Sequence, residues 1–127
     1  MADPAFLLDS NICIYVLEGR GEGLRNRIEA HSPGELVTSS IVCAEVMRGL
    51  DPRDRKKFAQ AERLFEAFPV QPFDRNAALR FRSVPFRRGG FDRLIAAHAL
   101  ALELTIVTSN LADFTDVPGL KVEDWTI

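Results

Sequence analysis

Short unbroken apolar runs alternate along this chain with longer stretches whose apolar residues recur at helical spacing, and that alternation leaves few folds open. Ala5-Phe6-Leu7-Leu8 is such a run and ends at Asp9, and Leu36-Val37-Thr38-Ser39 is a second. Leu104-Thr105-Ile106-Val107-Thr108 is the clearest strand, continuous and β-branched, and Leu120-Lys121-Val122 reads as a short closing edge strand after the Pro118-Gly119 turn. Runs without polar alternation suit strands covered on both faces, as in parallel sheets. Helical spacing predicts helices over Asn11–Glu18, Glu22–His31, Ile41–Leu50, Arg53–Phe68 and Arg93–Glu103, with Asp74 capping a further one to about Arg82. Pro69 to Phe73 reads as an extended link. Strands alternating with helices predict an α/β fold, a central and mostly parallel sheet of four to five strands flanked by helices on both faces.

A chain of 127 residues fits one domain, 1–127, with a real core. Its net charge of −2 argues against coating nucleic acid by charge alone, although local basic patches can still bind phosphate. Cys13 and Cys43 lie in apolar runs without CxxC spacing, which favours buried free thiols over a disulfide or zinc site. His31 and His98, neither near a plausible Cys ligand, read as surface or helix-packing residues. The start, MADPAFLLDSN, has acids on both sides of a short apolar stretch and no basic leader, unlike a signal peptide. No apolar run approaches the roughly 20 residues of a membrane helix, so the expected location is cytoplasmic, away from membranes.

Four acids stand where such a sheet could gather them. Asp9 closes the first strand, and in open α/β sheets ligands bind outside that edge; taken alone, an Asp between a strand and a helix is more often an N-cap. Glu45 is surrounded by Ile41, Val42, Cys43, Ala44, Val46 and Met47, and a carboxylate there needs a cation, a hydrogen-bond set or a proton; Arg48, at i,i+3, offers an ordinary ion pair. Asp92 opens the most apolar helix, as ligand or cap, and Asp113 follows the Thr108–Ala112 turn. Gathered carboxylates repel unless a divalent cation neutralises them, and hard oxygen donors select Mg²⁺ or Mn²⁺ over zinc.

The segments FLLDSNICIYVL, TSSIVCAEVMRGL, FDRLIAAHALALELTIVTSN and DFTDVPGLKVEDW closely resemble, in order and spacing, the motifs of VapC-type PIN-domain toxins, the ribonuclease half of type II toxin–antitoxin pairs. The FDRLIAAHALA stretch with its following strand is the most specific. The resemblance implies a PIN fold, metal binding by Asp9, Glu45 and Asp92, and a fourth acid for which Asp113 is the nearest match. It also implies a homodimer and a cognate VapB-like antitoxin that covers the site. The chain departs from the pattern with DSN in place of the commoner DTN, with Val42 where Thr is frequent, and with a shorter stretch between Ala78 and Asp92.

The expected activity is Mg²⁺-dependent hydrolysis of RNA phosphodiesters, one or two ions being held by Asp9, Glu45, Asp92 and Asp113. Asn11, Ser39, Thr108, Ser109 and Asn110 are candidates for orienting the carboxylates or metal-bound waters, or for ordinary turn capping. Arg87, Arg88 and Arg93, in and after the Arg87-Arg88-Gly89-Gly90-Phe91 loop, are candidates for RNA contact. A PIN fold that binds RNA or protein without cleaving is the alternative. A receiver-type signalling domain fits poorly, because Asp9 has no acidic neighbour and no lysine follows Thr108 closely; a DxD phosphatase fails because Asp9-Ser10-Asn11 lacks the second Asp. The identity of the RNA is left open.

Overall fold

The structure is a computed structural model and describes residues 2–88 and 90–127. Strand β1 (Phe6–Leu8) runs into helix α1 (Ser10–Leu17), followed by α2 (Glu22–Glu29), β2 (Leu36–Ser39) and α3 (Ser40–Arg48). Then come α4 (Arg55–Ala67), β3 (Val70–Gln71), α5 (Arg75–Arg80), a 3₁₀ turn (Phe81–Ser83) and α6 (Asp92–Leu102). The chain closes with β4 (Thr105–Val107), a second 3₁₀ turn (Leu111–Asp113) and β5 (Val122–Glu123).

Side-chain caps start four of these helices. Asp9 accepts the Ile12 amide at 3.1 Å, Ser39 that of Ile41 at 3.0 Å, Asp54 that of Lys57 at 3.0 Å, and Asp74 that of Ala77 at 3.1 Å. Each bond satisfies an amide that the first helical turn leaves without a partner. Helix α6 has no side-chain cap; its N-cap is Phe91, and Asp92 is its first residue. Its buried Ala96, Ala97 and Ala99 let the helix lie close to its neighbours.

The five strands form one sheet in the order β3-β2-β1-β4-β5, and every pairing is parallel. Leu7 of β1 sits between Val37 of β2 and Ile106 of β4, and all three are buried with Leu8, Ile12, Ile95 and Val107. This is the α/β architecture predicted from the alternating runs. The strand order reverses between β1 and β4, and at such a reversal the connecting helices leave to opposite faces and open a crevice at the C-terminal strand ends. Among the described residues no helix is long and apolar enough to cross a membrane.

Differences from the expected elements are local. Val70-Gln71, read as a link, adds a two-residue strand to β2, because its flanking prolines leave only the edge position open. The last strand is Val122–Glu123, one step later than expected. Cys13 is buried, but Cys43 is only half-buried; both thiols are free.

Candidate active site

Three residues mark the C-terminal ends of the central strands: Asp9 after β1, Ser39 at the end of β2, and Thr108 after β4. The Asp9 amide donates to the Val107 carbonyl at 3.1 Å, which fixes the end of β1 against β4 where the crevice opens. Asp9 is 5% exposed, and its carboxyl is pushed up to about 6, first by burial and further by the charges of Asp92 and Glu45. The Thr108 hydroxyl and the Ile12 amide oppose that rise. Asp9 therefore caps α1 with one oxygen, and the cap leaves the second unused.

Glu45, on α3, does not pair with Arg48. Its Oε1 accepts the Ser10 hydroxyl at 2.6 Å, a bond between residues 35 positions apart that holds the carboxylate toward β1. Asp92, at the start of α6, is likewise raised to about 6, by burial first and then by Asp113 beside it, with Glu45 contributing. Asp113 ends the second 3₁₀ turn and accepts the Asn110 side-chain amide at 2.9 Å. Asp9, Glu45, Asp92 and Asp113, from four separate segments, thus share one electrostatic neighbourhood.

The donors are all carboxylates, which suit a hard divalent cation. Among the described residues no three acids, histidines or cysteines stand close enough together to hold a metal ion as they are placed. The Asp9 and Asp92 carboxyls are raised first by burial and further by their acidic neighbours, and a divalent counter-charge would offset both effects. The donor set fits Mg²⁺ or Mn²⁺ and lacks the nitrogen and sulfur ligands usual for zinc.

The remaining candidates separate. Thr108 is buried, accepts the Asn110 amide at 3.0 Å and touches Asp9, so it both builds the turn and supports the site. Ser39 points elsewhere: besides capping α3 it bonds His98 Nδ1 at 2.7 Å, which joins the end of β2 to α6. Asn11 is exposed on the first turn of α1, and Ser109 lines a different hollow with Tyr15 and Thr126.

Arg93 corrects the expectation of a cation on the rim. It is 5% exposed and forks onto both carboxylate oxygens of Asp116 at 3.0 Å, holding that acid below the usual carboxylate range. The same guanidinium donates to the carbonyls of Pro85, at 3.2 Å, and Asp113. A planar five-donor group reaches three segments at once only when buried among them. Arg87 is half-exposed and also meets Asp116, at 3.3 Å, while Arg88 is exposed. Ser10 and Asp116 are contributors that local spacing did not expose; the Ser for Thr exchange in the DSN motif was the one available signal for Ser10.

Carboxylates from a strand end, two helices and a turn, in one electrostatic neighbourhood at the reversal point of a parallel sheet, mark an α/β domain with an acidic candidate site. The sequence profile of the PIN domain family matches residues 6–120. A relative in Shigella flexneri, named tRNA(fMet)-specific endonuclease VapC, is 32% identical over 130 residues, covering 95% of this chain and 98% of its own. A protein of the same name in Salmonella typhimurium is 30% identical over 129 residues, with 94% and 97% coverage. The structure of DNA-bound VapBC from Salmonella typhimurium superposes with a TM-score of 0.85 at 28% identity, covering 96% of this chain and 98% of that one. The chain belongs to the PIN-domain family and, within it, to the VapC-type nucleases.

Proposed function

We propose that this protein is a Mg²⁺-dependent endoribonuclease toxin, with Mn²⁺ as a substitute ion, restrained by a cognate VapB-like antitoxin. What supports this reading is that Asp9, Glu45, Asp92 and Asp113 act on one another's carboxyls, a charge balance that a cation would complete. The relatives named as tRNA(fMet)-specific endonucleases support RNA as the substrate, and the VapBC neighbour supports an antitoxin partner. We further infer a cytoplasmic homodimer, as the family resemblance implies.

In this mechanism Asp9, Glu45, Asp92 and Asp113 would hold one or two ions. When bound, the metal would neutralise the site, lower the pKa of a water and polarise the phosphoryl oxygens. Ser10 orients Glu45 by its hydroxyl, and Asn110 does the same for Asp113. Arg88, exposed and four positions before Asp92 in the chain, is the residue we infer to receive an RNA phosphate. Water attacks phosphorus in line as the bond to one nucleoside oxygen breaks, and a proton from the water ends on that leaving oxygen.

The test is cleavage of total RNA by rigorously purified protein. Cleavage is expected with Mg²⁺, to stop in excess EDTA and to return on adding Mg²⁺, and Asp92→Asn is expected to lose at least about a hundredfold. Undiminished cleavage in EDTA would overturn the metal mechanism, and a parent protein inert with Mg²⁺ would favour a binding module.

A further inference from the structure

The acid that opens α6 has a cation as its chain neighbour. Arg93 follows Asp92, is buried, and donates to the Asp113 carbonyl, so one guanidinium stands against the backbone of one candidate metal ligand and lowers the carboxyl of the other by its charge. A fixed cation in that place works against a divalent ion twice over, by repelling it and by offering the carboxylates a fork to pair with instead. Burial obliges Arg93 to find a counter-charge, and Asp92 and Asp113 are at hand. A separate acid supplies it. Both terminal nitrogens turn to Asp116, at 3.0 Å each, and one also donates to the Pro85 carbonyl at 3.2 Å. Asp116 is itself held in place, because Phe114 and Val117 on either side of it are buried and the Val117 amide donates to the Phe114 carbonyl at 3.2 Å.

We propose that Asp116 is a positioning residue of the metal site and acts through Arg93, neutralising the guanidinium and turning it from Asp92 and Asp113 so that both carboxylates stay free for the ion. The inference rests on the metal-binding part of the reading above, and it gives Asp116 a role other than ligation. Among the described residues the ion pairs of Arg93 and Arg87 both run to Asp116, at 3.0 and 3.3 Å, and none runs from Arg93 to Asp92 or Asp113. Arg87 is half in solvent and can turn away from a lost partner; buried Arg93 cannot. Without the charge on Asp116, the buried guanidinium would meet its need at Asp92 and Asp113, the carboxylates that the ion requires.

The test measures Mn²⁺ binding without RNA, from the electron paramagnetic resonance signal of the free ion, for the parent, Asp116→Asn, Asp116→Glu, Arg93→Met and the double variant Arg93→Met/Asp116→Asn. Asp116→Asn should bind Mn²⁺ about tenfold more weakly than the parent, the low end for a residue that supports metal ligands. Asp116→Glu, which keeps the charge, should bind as the parent does. The double variant should regain the affinity of Arg93→Met, because the effect of Asp116 passes through the guanidinium. Equal affinity of Asp116→Asn and the parent would overturn the proposal. So would a double variant as weak as Asp116→Asn, which would make Asp116 a ligand or a brace for its turn. Should Asp116→Asn not fold, the double variant against Arg93→Met decides: equal affinity is expected, and a further loss overturns the role. If the parent cuts RNA with Mg²⁺ while Asp116→Asn binds Mn²⁺ normally, the role fails and the ribonuclease stands. If the expected pattern of Mn²⁺ binding is found in a protein that never cuts RNA, the role stands and the ribonuclease falls. A parent that binds no Mn²⁺ overturns the role together with the metal site.

Discussion

Asp9 serves two neighbours at once, the Ile12 amide that it caps and the acidic crevice that it faces. Capping and metal binding, which compete as explanations for a strand-end aspartate, are compatible because a carboxylate has two oxygens. Arg93 shows the opposite economy, with every contact directed inward. Arg93→Met should remove the donors to the Pro85 and Asp113 carbonyls and free Asp116, at a cost of about 2 kcal/mol. Urea denaturation should show a lower midpoint at an unchanged slope; a midpoint equal to the parent's would mean that the fork contributes nothing. Asp9, Asp92 and Asp113 stood out as candidates in the sequence because each follows a strand or opens a helix, and Glu45 because it is a charge set among apolar neighbours. The buried place of Arg93 was not legible, since charge and a neighbouring basic loop argue for exposure, and its partners come from residues 85, 113 and 116. Ser10 was hidden for the same reason: Glu45 is remote in sequence and adjacent only through the packing of α1 on α3.

At the scale of elements, α6 carries most of what positions the site. Its N-terminus sets Asp92, His98 bonds the end of β2 through Ser39, and its buried alanines admit close packing. The helix ends on Glu103 in the left-handed region, at φ +58°, with its amide donating to the Ala99 and Leu100 carbonyls. A non-glycine residue there carries a steric penalty on the order of 1 kcal/mol. Glu103→Gly should therefore raise the melting temperature by a few degrees without altering cleavage; an unchanged or lower melting temperature would show the residue to be relaxed. The strands of the centre were legible from their continuous apolar runs. Val70-Gln71 was not, because two residues between prolines carry no periodicity, and only the register Thr38–Val70 makes them a strand. Helix ends shifted by one or two residues, as where the Asp54 cap decided the start of α4.

For the whole molecule, the acidic crevice costs stability as its carboxyls ionise. Asp9 and Asp92 keep their protons to about pH 6 when folded and release them near 3.8 when unfolded. Stability that is full below the unfolded value is thus lost as pH rises through 6, since the native state there binds more protons. Buried His98, whose imidazole is held below its usual value, works in the other direction over part of that window, because its unfolded form takes a proton that the folded form resists. The comparison with Asp9→Asn removes that opposing contribution. In EDTA, the melting temperature of Asp9→Asn minus that of the parent should grow more positive from pH 4.5 to 7, and a flat difference would mean that Asp9 ionises freely. The central claim is tested most directly at pH 7.5, by melting the parent and Asp9→Asn with and without Mg²⁺ while following RNA cleavage. Asn caps a helix about as well as Asp, so capping alone predicts no change in either quantity. The metal-site account predicts a variant at least as stable as the parent in EDTA, a Mg²⁺-dependent rise in melting temperature for the parent that the variant largely loses, and at least about a hundredfold less cleavage. A variant that cuts RNA near the parent's rate with the same Mg²⁺ shift would contradict it.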